Sequence, residues 1–350
     1  MKLCVIGAGP ASAYFIKEVL TTRKDVTFDV FEKERAPLGY LRCGVAPDQL
    51  GLKATIPSLT EVLRHPRVKY FPGIEMGKDL HLREIQKYYD GVVIGSGAKG
   101  PRLLDVPGSR HAISADALIR KINNCPGPSV PRLSGTVAII GNGNVSLDAA
   151  RMLLHSKVLG EKTGSSYLKD LSVDKAIVIG RNSPLETKFT NAVLAELFFS
   201  PLQVLQSNRL QEWFKQLTFA KVGRIAKRTL SLLAKDGVNT RPGTELSNGQ
   251  SAVEFVFWER PISITKDQKK LTLTTEDDLG RQHHRSVDHV IAAIGYEAAS
   301  NEEMIKDLAI PVYTIGWAQS RGSGNLSNAL ETGVELSGQL PPLRPSEVLN

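Results

Sequence analysis

Short apolar runs that end at glycine recur along the chain. The first, residues 3–6, leads into a glycine turn and then into apolar residues at helical spacing through Leu20. The second, residues 136–140, leads into another glycine turn and an apolar-periodic stretch at 147–154. Continuous apolar runs are typical of parallel strands covered on both faces, whereas a 3.6-residue period indicates a helix. The pattern therefore predicts two strand–turn–helix units.

Two further segments, residues 89–97 and 288–296, each contain an apolar run that ends at glycine, and they predict strands that return the chain between domains. At 350 residues the chain has the length of two domains rather than one. We predict one dinucleotide-binding domain at 107–297, inserted into another built from 1–106 and 298–350. The predicted fold class is α/β, with two Rossmann-like domains.

Composition excludes several classes of protein. Apolar residues make up 41% of the chain and charged residues 23%, as in ordinary globular domains. No apolar run approaches the roughly 20 residues of a membrane span, so we expect no transmembrane segment, and peripheral membrane association stays open. The first strand pattern begins at once, so we also expect no signal or transit peptide.

Charge and cysteine content narrow the chemistry. The formal net charge of +8 favours acidic partners, but no nucleic-acid motif accompanies it, so we expect no nucleic-acid partner. The three cysteines are far apart and form no Cys-x-x-Cys. This argues against a flavin disulfide reductase and against a resident metal site.

The first glycine turn has the pattern of a dinucleotide-binding site. Gly7 permits the tight turn, and Gly9 lets the backbone approach a pyrophosphate at the positive end of the helix. Ser12 replaces the usual third glycine, and we expect it to be tolerated while holding the helix slightly further out. Glu32 lies 20 residues beyond Ser12, where a carboxylate binds a ribose hydroxyl. The alternative is a simple tight turn.

The second turn, residues 141–146, has a similar glycine pattern and also lies between a predicted strand and a predicted helix. The strand after it ends at Arg181, where a domain that binds NAD usually carries an acid. A cation there favours the 2′-phosphate of NADP. The alternative is a solvated charge at the end of a strand.

Residues 31–48 resemble the flavin-side signature of adrenodoxin reductases, the mitochondrial-type ferredoxin–NADP reductases. The resemblance continues in order through residues 141–148, 180–185, 189–190, 294–296, 316–317 and Gly324. It implies a glutathione-reductase-like architecture, with FAD bound by residues 1–106 and 298–350 and NADP by residues 107–297. Relative to the family, we expect the chain to lack mainly loop length and the C-terminal extension.

The resemblance also assigns site residues. It implies an FAD site formed by Gly7, Gly9, Pro10, Ala11, Glu32, Gly39, Leu41, Val45, Gly316, Trp317 and Gly324. It implies an NADP site formed by Gly143, Asn144, Val145 and Arg181. The second arginine of the family is Asn182 here, so we expect a weaker preference for NADPH unless Lys188 contributes.

At the catalytic centre the resemblance places Asp148, Gln49 and Trp317. Gln49 stands where the family has a histidine, whereas the partner carboxylate persists as Asp148. The isoalloxazine accepts the hydride without a protein acid or base. We therefore expect the substitutions to change rate and specificity more than reaction type.

A basic segment interleaved with apolar residues predicts a helix, on which Lys221, Arg224, Arg228 and Lys235 fall near one face. In adrenodoxin reductases a similar Arg-x-x-Lys-Arg segment binds an acidic ferredoxin. The resemblance therefore implies a partner-binding site at Arg224, Lys227 and Arg228. The alternative is a solvated helix face.

Two smaller patterns complete the predictions. His283 and His284 are adjacent in a polar segment that carries no other ligands, and this predicts an exposed turn rather than a metal site. Trp258 follows an apolar run and is predicted to lie in the core of a strand.

The predicted function is that of a flavoprotein oxidoreductase that passes electrons from NADPH through FAD to an acidic two-iron, adrenodoxin-like ferredoxin, in support of iron–sulfur cluster assembly. Two alternatives stay open: direct reduction of a small molecule or quinone, and a divergent nucleotide-binding protein with little catalysis. We expect a monomer in a mitochondrion or mitochondrion-related organelle, with the cytoplasm as the alternative.

Overall fold

The computed structural model of the chain describes residues 1–199, 202–217, 222–234, 251–324 and 326–341. In chain order the strands are β1 (Lys2–Ile6), β2 (Thr27–Glu32), β3 (Val68–Pro72), β4 (Gly91–Ile94), β5 (Ala98–Pro101), β6 (Ala112–Ser114), β7 (Ser134–Ile140), β8 (Ser172–Ile179), β9 (Gln203–Gln206), β10 (Ala252–Val256), β11 (Glu259–Asp267), β12 (Lys270–Asp277), β13 (Gln282–Val287), β14 (His289–Ala292), β15 (Tyr296–Ala298) and β16 (Val312–Thr314). The α-helices are α1 (Pro10–Thr22), α2 (Gly39–Cys43), α3 (Leu50–Lys53), α4 (Ile56–Val62), α5 (Leu82–Ile85), α6 (Ala115–Ile122), α7 (Asn144–Leu154), α8 (Ser156–Thr163), α9 (Ser166–Lys169), α10 (Asn191–Leu197), α11 (Asn208–Gln216), α12 (Arg224–Ala234), α13 (Glu302–Ile305) and α14 (Leu326–Gln339).

The chain divides into two compact units. The first consists of Met1–Arg102 and Gly295–Asn350, and the second is the continuous stretch Leu103–Ile294. Both boundaries lie a few residues before the predicted ones. β15 pairs with β5, which places residues 296–297 in the first unit. Leu104 is buried in the apolar core of the second unit, which places the segment from 103 onward there.

A parallel sheet in the order β16-β4-β1-β2-β3 forms the centre of the first unit. Helices α1 and α14 lie together on one face, where Phe15, Ile16 and Leu336 are buried against the strands. Gly333 allows this close crossing, because a Cβ there would lie 2.9 Å from Ala11 O and Phe15 N. The first helix of the chain therefore packs directly against the last one described.

A second parallel sheet, in the order β6-β14-β7-β8-β10-β9, forms the centre of the second unit. A separate antiparallel sheet, β11-β12-β13, shares an apolar core with it. Leu273 and Val287 of the antiparallel sheet and Ile177 and Val290 of the parallel sheet belong to this core. The alternation of strands and helices that the sequence predicts is therefore present in both units.

Two local predictions are wrong. His283 and His284 lie in strand β13 instead of a turn, because β13 pairs along its length with β12. The His283 Nε2 atom lies 3.2 Å from Asp277 Oδ2. Trp258 lies beyond the end of β10 with a left-handed φ of 60°, where the chain turns from β10 into β11.

Two kinds of feature are absent from the described residues. Among them, no helix combines the length and the apolar character needed to cross a membrane. Within the same ranges, no group of three or more histidine, cysteine or acidic side chains is placed to hold a metal ion.

Candidate functional site

The turn from β1 into α1 is shaped for close approach of backbone. Gly7 has a left-handed φ of 92°, and a Cβ there would overlap the carbonyl oxygen of Gly95. Gly9 precedes the helix and Pro10 is its first residue, a position where the missing N–H of proline costs nothing. No described side chain caps this helix end. The first-turn amides therefore suit a pyrophosphate, since the helix dipole favours negative charge there.

Ser12 occupies the third position of the glycine pattern and is fully buried. A Cβ on Gly95 would overlap the Ser12 Oγ atom, so the space for the hydroxyl exists because residue 95 is glycine. Among the described residues the hydroxyl has no hydrogen-bond partner. Gly95, which directly follows strand β4, therefore leaves the room that a serine at position 12 needs.

Glu32 ends strand β2 and is buried beside the turn. Its Oε2 atom accepts a hydrogen bond from the Ala8 N–H at 2.7 Å, and its Oε1 atom accepts one from the Glu34 N–H at 2.9 Å. Two amide donors hold the carboxylate at the carboxyl edge of the sheet. This is where the ribose of a dinucleotide is bound in such folds.

The segment of residues 38–45 packs onto the first helix. Leu38 is buried at a left-handed φ of 71°, and Gly39 then begins α2. Leu41 is buried in a cluster with Ala13 of α1, and Val45 packs partly buried against the same cluster. The predicted positions Gly39, Leu41 and Val45 are therefore held next to α1.

The side chain of Lys53 anchors this segment through two hydrogen bonds. Its Nζ donates to the carbonyl oxygens of Leu41 at 3.1 Å and Arg42 at 2.6 Å. Burial, with the nearby positive charge of Arg42, lowers the pKa of Lys53 to about 8. Sequence reasoning missed this residue, because nothing in its local pattern distinguishes it from a surface lysine.

Trp317 lies in a 3₁₀ turn, Gly316–Ala318, against the start of α1. Gly316 has a φ of 61°, and a Cβ on it would come within 2.7 Å of Ala11 Cβ. The Trp317 Nε1–H donates to the carbonyl oxygen of Gly324 at 3.2 Å. The structure therefore brings together Ala11, Gly316, Trp317 and Gly324, four of the positions predicted to contact FAD.

Three aromatic rings from separate segments meet beside this turn. The ring centroids of Tyr40 and Trp317 are 4.6 Å apart, those of Tyr296 and Trp317 5.1 Å, and those of Tyr40 and Tyr296 5.6 Å. Sequence reasoning missed both tyrosines, since the three positions are far apart along the chain.

The second turn, from β7 into α7, has the same close approach of backbone as the first. Gly141 has a φ of 136°, and a Cβ there would overlap the carbonyl oxygen of Ala293, just after β14. Gly143 precedes α7, and its N–H donates to Ser146 Oγ at 3.2 Å. Val145 lies half-buried in the first turn of the helix. The backbone is therefore again the surface that a phosphate can approach.

Residues beyond β8 support this second turn. The Lys188 N–H donates to the carbonyl oxygen of Asn142 at 3.0 Å. The Thr190 N–H donates to Asn144 Oδ1 at 2.8 Å. Asn144 was predicted as a cofactor contact, and the structure gives its side chain a role in holding the segment 188–190 against the turn.

Arg181 follows β8 at its carboxyl end and is exposed. Among the described residues its side chain makes no ion pair or hydrogen bond, so its charge is available to a ligand. Lys188 is also exposed. Asn182 contributes its carbonyl oxygen, which accepts the Trp258 N–H at 3.2 Å.

The residues predicted at the catalytic centre lie in different elements. Asp148 is on α7 in the second unit, and Gln49 directly precedes α3 in the first. Asp148 Oδ1 lies 2.7 Å from Nη2 of Arg151, whose side chain is only 1% exposed. Sequence reasoning missed Arg151, although acid–arginine spacing of three residues on a helix is a known signal of an ion pair.

The basic segment forms helix α12. Arg224 and Arg228 are exposed on it, one helical turn apart, and Lys227 is half-buried. Ile225 lies between the cations and is 78% exposed. Lys221 and Lys235 lie outside the described residues.

Two parallel sheets, each with a glycine turn between one of its strands and the following helix, are typical of oxidoreductases that bind two dinucleotides. Residues 1–197, more than half of the chain, match the pyridine nucleotide-disulphide oxidoreductase family. The chain belongs to this family. FAD and NADP, the cofactors predicted from the sequence, are supported by this match and by the relatives below.

The NADPH:adrenodoxin oxidoreductase of Salvelinus fontinalis is 33% identical over 282 residues, which cover 75% of this chain and 55% of that protein. The Arabidopsis thaliana protein of the same name is 30% identical over 291 residues, which cover 77% and 59%. The predicted resemblance to adrenodoxin reductases is thus confirmed. The chain spans about half the length of the curated relatives it matches.

Solved structures show the same fold. Mycobacterium tuberculosis FprA in complex with NADPH has a TM-score of 0.82 at 23% identity, over 97% of this chain and 83% of that one. Lactococcus lactis thioredoxin reductase has a TM-score of 0.54 at 13% identity, over 97% of both chains. The predicted fold class is therefore confirmed.

Proposed function

We propose that the chain is a flavoprotein oxidoreductase that transfers electrons from NADPH through FAD to an acidic two-iron ferredoxin of the adrenodoxin type. One observation carries the proposal. In each unit the first glycine of the turn lies so close to a carbonyl oxygen just beyond a neighbouring strand that a Cβ would overlap it. The oxygen belongs to Gly95 in the case of Gly7 and to Ala293 in the case of Gly141. Two sites of one design, at the carboxyl edges of two parallel sheets, suit two dinucleotides.

The first unit is proposed to bind FAD. The amides after Gly9 would meet the pyrophosphate, and Glu32 would accept a ribose hydroxyl. Trp317, held by Gly324, would line the flavin side of the turn. When bound, FAD supplies the hydride-accepting ring and the means to release electrons one at a time.

The second unit is proposed to bind NADP. The backbone at Gly143 and Val145 would meet its pyrophosphate, and Arg181 would pair with the 2′-phosphate. The cations of α12 support an acidic protein as the electron acceptor. The mitochondrial names of the relatives support a mitochondrion or related organelle, where the proposed monomer would serve iron–sulfur cluster assembly.

Anaerobic titration of the purified protein tests the proposed function. We expect a yellow protein whose visible flavin absorbance bleaches on addition of NADPH, and whose reduction of cytochrome c then depends on an added two-iron ferredoxin. Colourless protein, or a flavin that NADPH leaves oxidised, would contradict the proposal. Equal turnover of a quinone without ferredoxin would support direct reduction instead.

Arg181→Ala should raise the KM for NADPH by about 10- to 150-fold, because one charge-assisted contact to the 2′-phosphate is worth roughly 1.5–3 kcal/mol. The KM for NADH should stay unchanged, since NADH carries no such phosphate. Steady-state kinetics with both nucleotides measures the ratio. Lys188→Ala is the matched comparison: a rise for NADPH alone would show that Lys188 replaces the arginine missing at Asn182, and equal KM changes for both nucleotides in Arg181→Ala would rule out the assigned role.

A further inference from the structure

Helices α7 and α10 of the second unit are tied together at both ends. At the start of α7, Asn144 Oδ1 accepts the Thr190 N–H just ahead of α10. At the far end, Arg151 Nη1 donates to Glu196 Oε2 at 3.1 Å. His155 adds a second bond there, with its Nε2 3.0 Å from the carbonyl oxygen of Leu197. The two helices therefore run side by side from the dinucleotide turn.

A buried arginine is an unusual residue to link two helices. Its side chain is 1% exposed and lies between two carboxylates, Asp148 at 2.7 Å on its own helix and Glu196 on α10. Removing a guanidinium from water is costly, and an apolar residue of similar volume often stabilises a fold as well or better. Stability alone thus gives little reason for an arginine here, whereas a defined geometry between the helices does.

The histidine supports the same geometry without adding charge. Burial, together with the nearby charge of Arg151, lowers the pKa of His155, while its bond to Leu197 acts in the opposite direction. The ring is therefore neutral near pH 7 and its Nε2–H donates to the carbonyl oxygen. Glu196, whose side chain is 45% exposed, remains the charged partner that fixes the last turn of α10.

The position of α10 determines the position of the segment before it. Lys188 and Thr190 in that segment donate their backbone N–H groups to Asn142 and Asn144, both within the dinucleotide turn. A shift of α10 would move these donors and the turn with them. Small displacements of binding groups have large effects on positioning.

We propose that Arg151 is a positioning residue for the pyridine nucleotide, acting through Glu196 and α10 on the turn at 141–146. This inference rests on the proposed NADP site. It assigns Arg151 no contact with the nucleotide itself.

Binding of NADP⁺ to the FAD-loaded protein, measured by calorimetry, tests the inference. Glu196→Gln removes the charge at the half-exposed end of the pair and should raise the Kd for NADP⁺ by about tenfold, since the turn loses part of its support. Arg151→Met keeps an unbranched apolar stem but removes the guanidinium, and should raise the Kd at least as much. Arg151→Lys replaces the two guanidinium nitrogens that contact Asp148 and Glu196 with one ammonium nitrogen, and should fall between Arg151→Met and the wild type.

The double variant decides whether the effect passes through Glu196. If it does, Arg151→Met with Glu196→Gln should bind NADP⁺ no more weakly than Arg151→Met alone, because residues in one network are not additive. Glu161→Gln breaks the exposed pair with Lys169, 3.0 Å long in the same unit, and serves as the control with unchanged Kd.

Three results would overturn the inference: an unchanged Kd in folded Glu196→Gln, fully additive effects in the double variant, or wild-type protein that does not bind NADP⁺. The last would also remove the proposed NADP site. Wild-type protein that binds NADP⁺ but is not reduced by NADPH would sink the proposed function alone, and the Kd series would still decide the role of Arg151.

Discussion

Replacing Gly7 with alanine is expected to yield protein that purifies without FAD. The added Cβ would overlap the carbonyl oxygen of Gly95 and push the turn away from the neighbouring strand. The left-handed φ of 92° adds roughly 1–2 kcal/mol of strain for any residue with a side chain. The ratio of visible flavin absorbance to polypeptide concentration measures the loss.

Gly77→Ala is the matched control for this substitution. Gly77 lies in the same unit at a φ of 91°, but nothing lies within 4 Å of a Cβ built there. It therefore carries the same backbone strain without the overlap, and should retain its full complement of FAD. A yellow Gly7→Ala protein with wild-type flavin content would show that the turn is not a flavin site.

Reversing both exposed arginines of α12, Arg224→Glu with Arg228→Glu, is expected to lower ferredoxin-dependent cytochrome c reduction by about 100-fold or more. Like charges facing each other across an interface cost several kcal/mol, and the lost attraction also slows encounter. Direct reduction of ferricyanide by NADPH should be spared. Raising the ionic strength should weaken the wild-type reaction with ferredoxin for the same reason.

The anchoring of α12 makes this test specific. Asn191 of α10 donates to the carbonyl oxygen of Ile225 at 3.2 Å and accepts a bond from Thr229 Oγ1 at 2.7 Å. Neither bond involves the side chains of Arg224 or Arg228, so the helix should remain in place. Equal loss of ferredoxin and ferricyanide activity would mean that the arginines support the fold instead.

A charge-matched control separates the local surface from the overall charge. Lys157 and Lys162 are exposed on α8 of the same unit, and Lys157→Glu with Lys162→Glu changes the net charge by the same amount. This variant should keep nearly all ferredoxin-dependent activity. A comparable loss in both double variants would assign the effect to long-range charge rather than to docking at α12.

The sequence predicted the parts of the fold that depend on local patterns. Each strand–turn–helix unit is contained in about 30 consecutive residues, and its glycines and apolar runs follow directly from backbone geometry. The place of Glu32 at the end of β2 was also predicted this way, because its distance from the turn is set by one helix and one strand. These features need no knowledge of distant contacts.

Other features depend on contacts between distant segments, and these the sequence did not reveal. The space for Ser12 comes from Gly95, and the ring cluster at Trp317 takes Tyr40 and Tyr296 from two other segments. Likewise, Glu196 could be matched with Arg151 only once α10 was seen beside α7. A single sequence carries no signal for such pairs.

The two wrong predictions have related causes. Strand β13 is an edge strand of a three-stranded sheet, and five of its six residues are polar, so it lacks the apolar alternation that would predict a strand without its partner β12. Trp258 follows an apolar run, but the chain bends there into β11. Tertiary pairing decided both positions.

The contact between α1 and α14 has a consequence for the order of folding. The first unit needs β16 and α14, which are translated after the whole of Leu103–Ile294, whereas the second unit is continuous. Contacts between such distant segments form late because of the loop that they must close. During synthesis the inserted unit can therefore become compact while the parallel sheet of the first unit still lacks its edge strand β16, so we expect the contacts of α1 with Gly316 and Gly333 to form last.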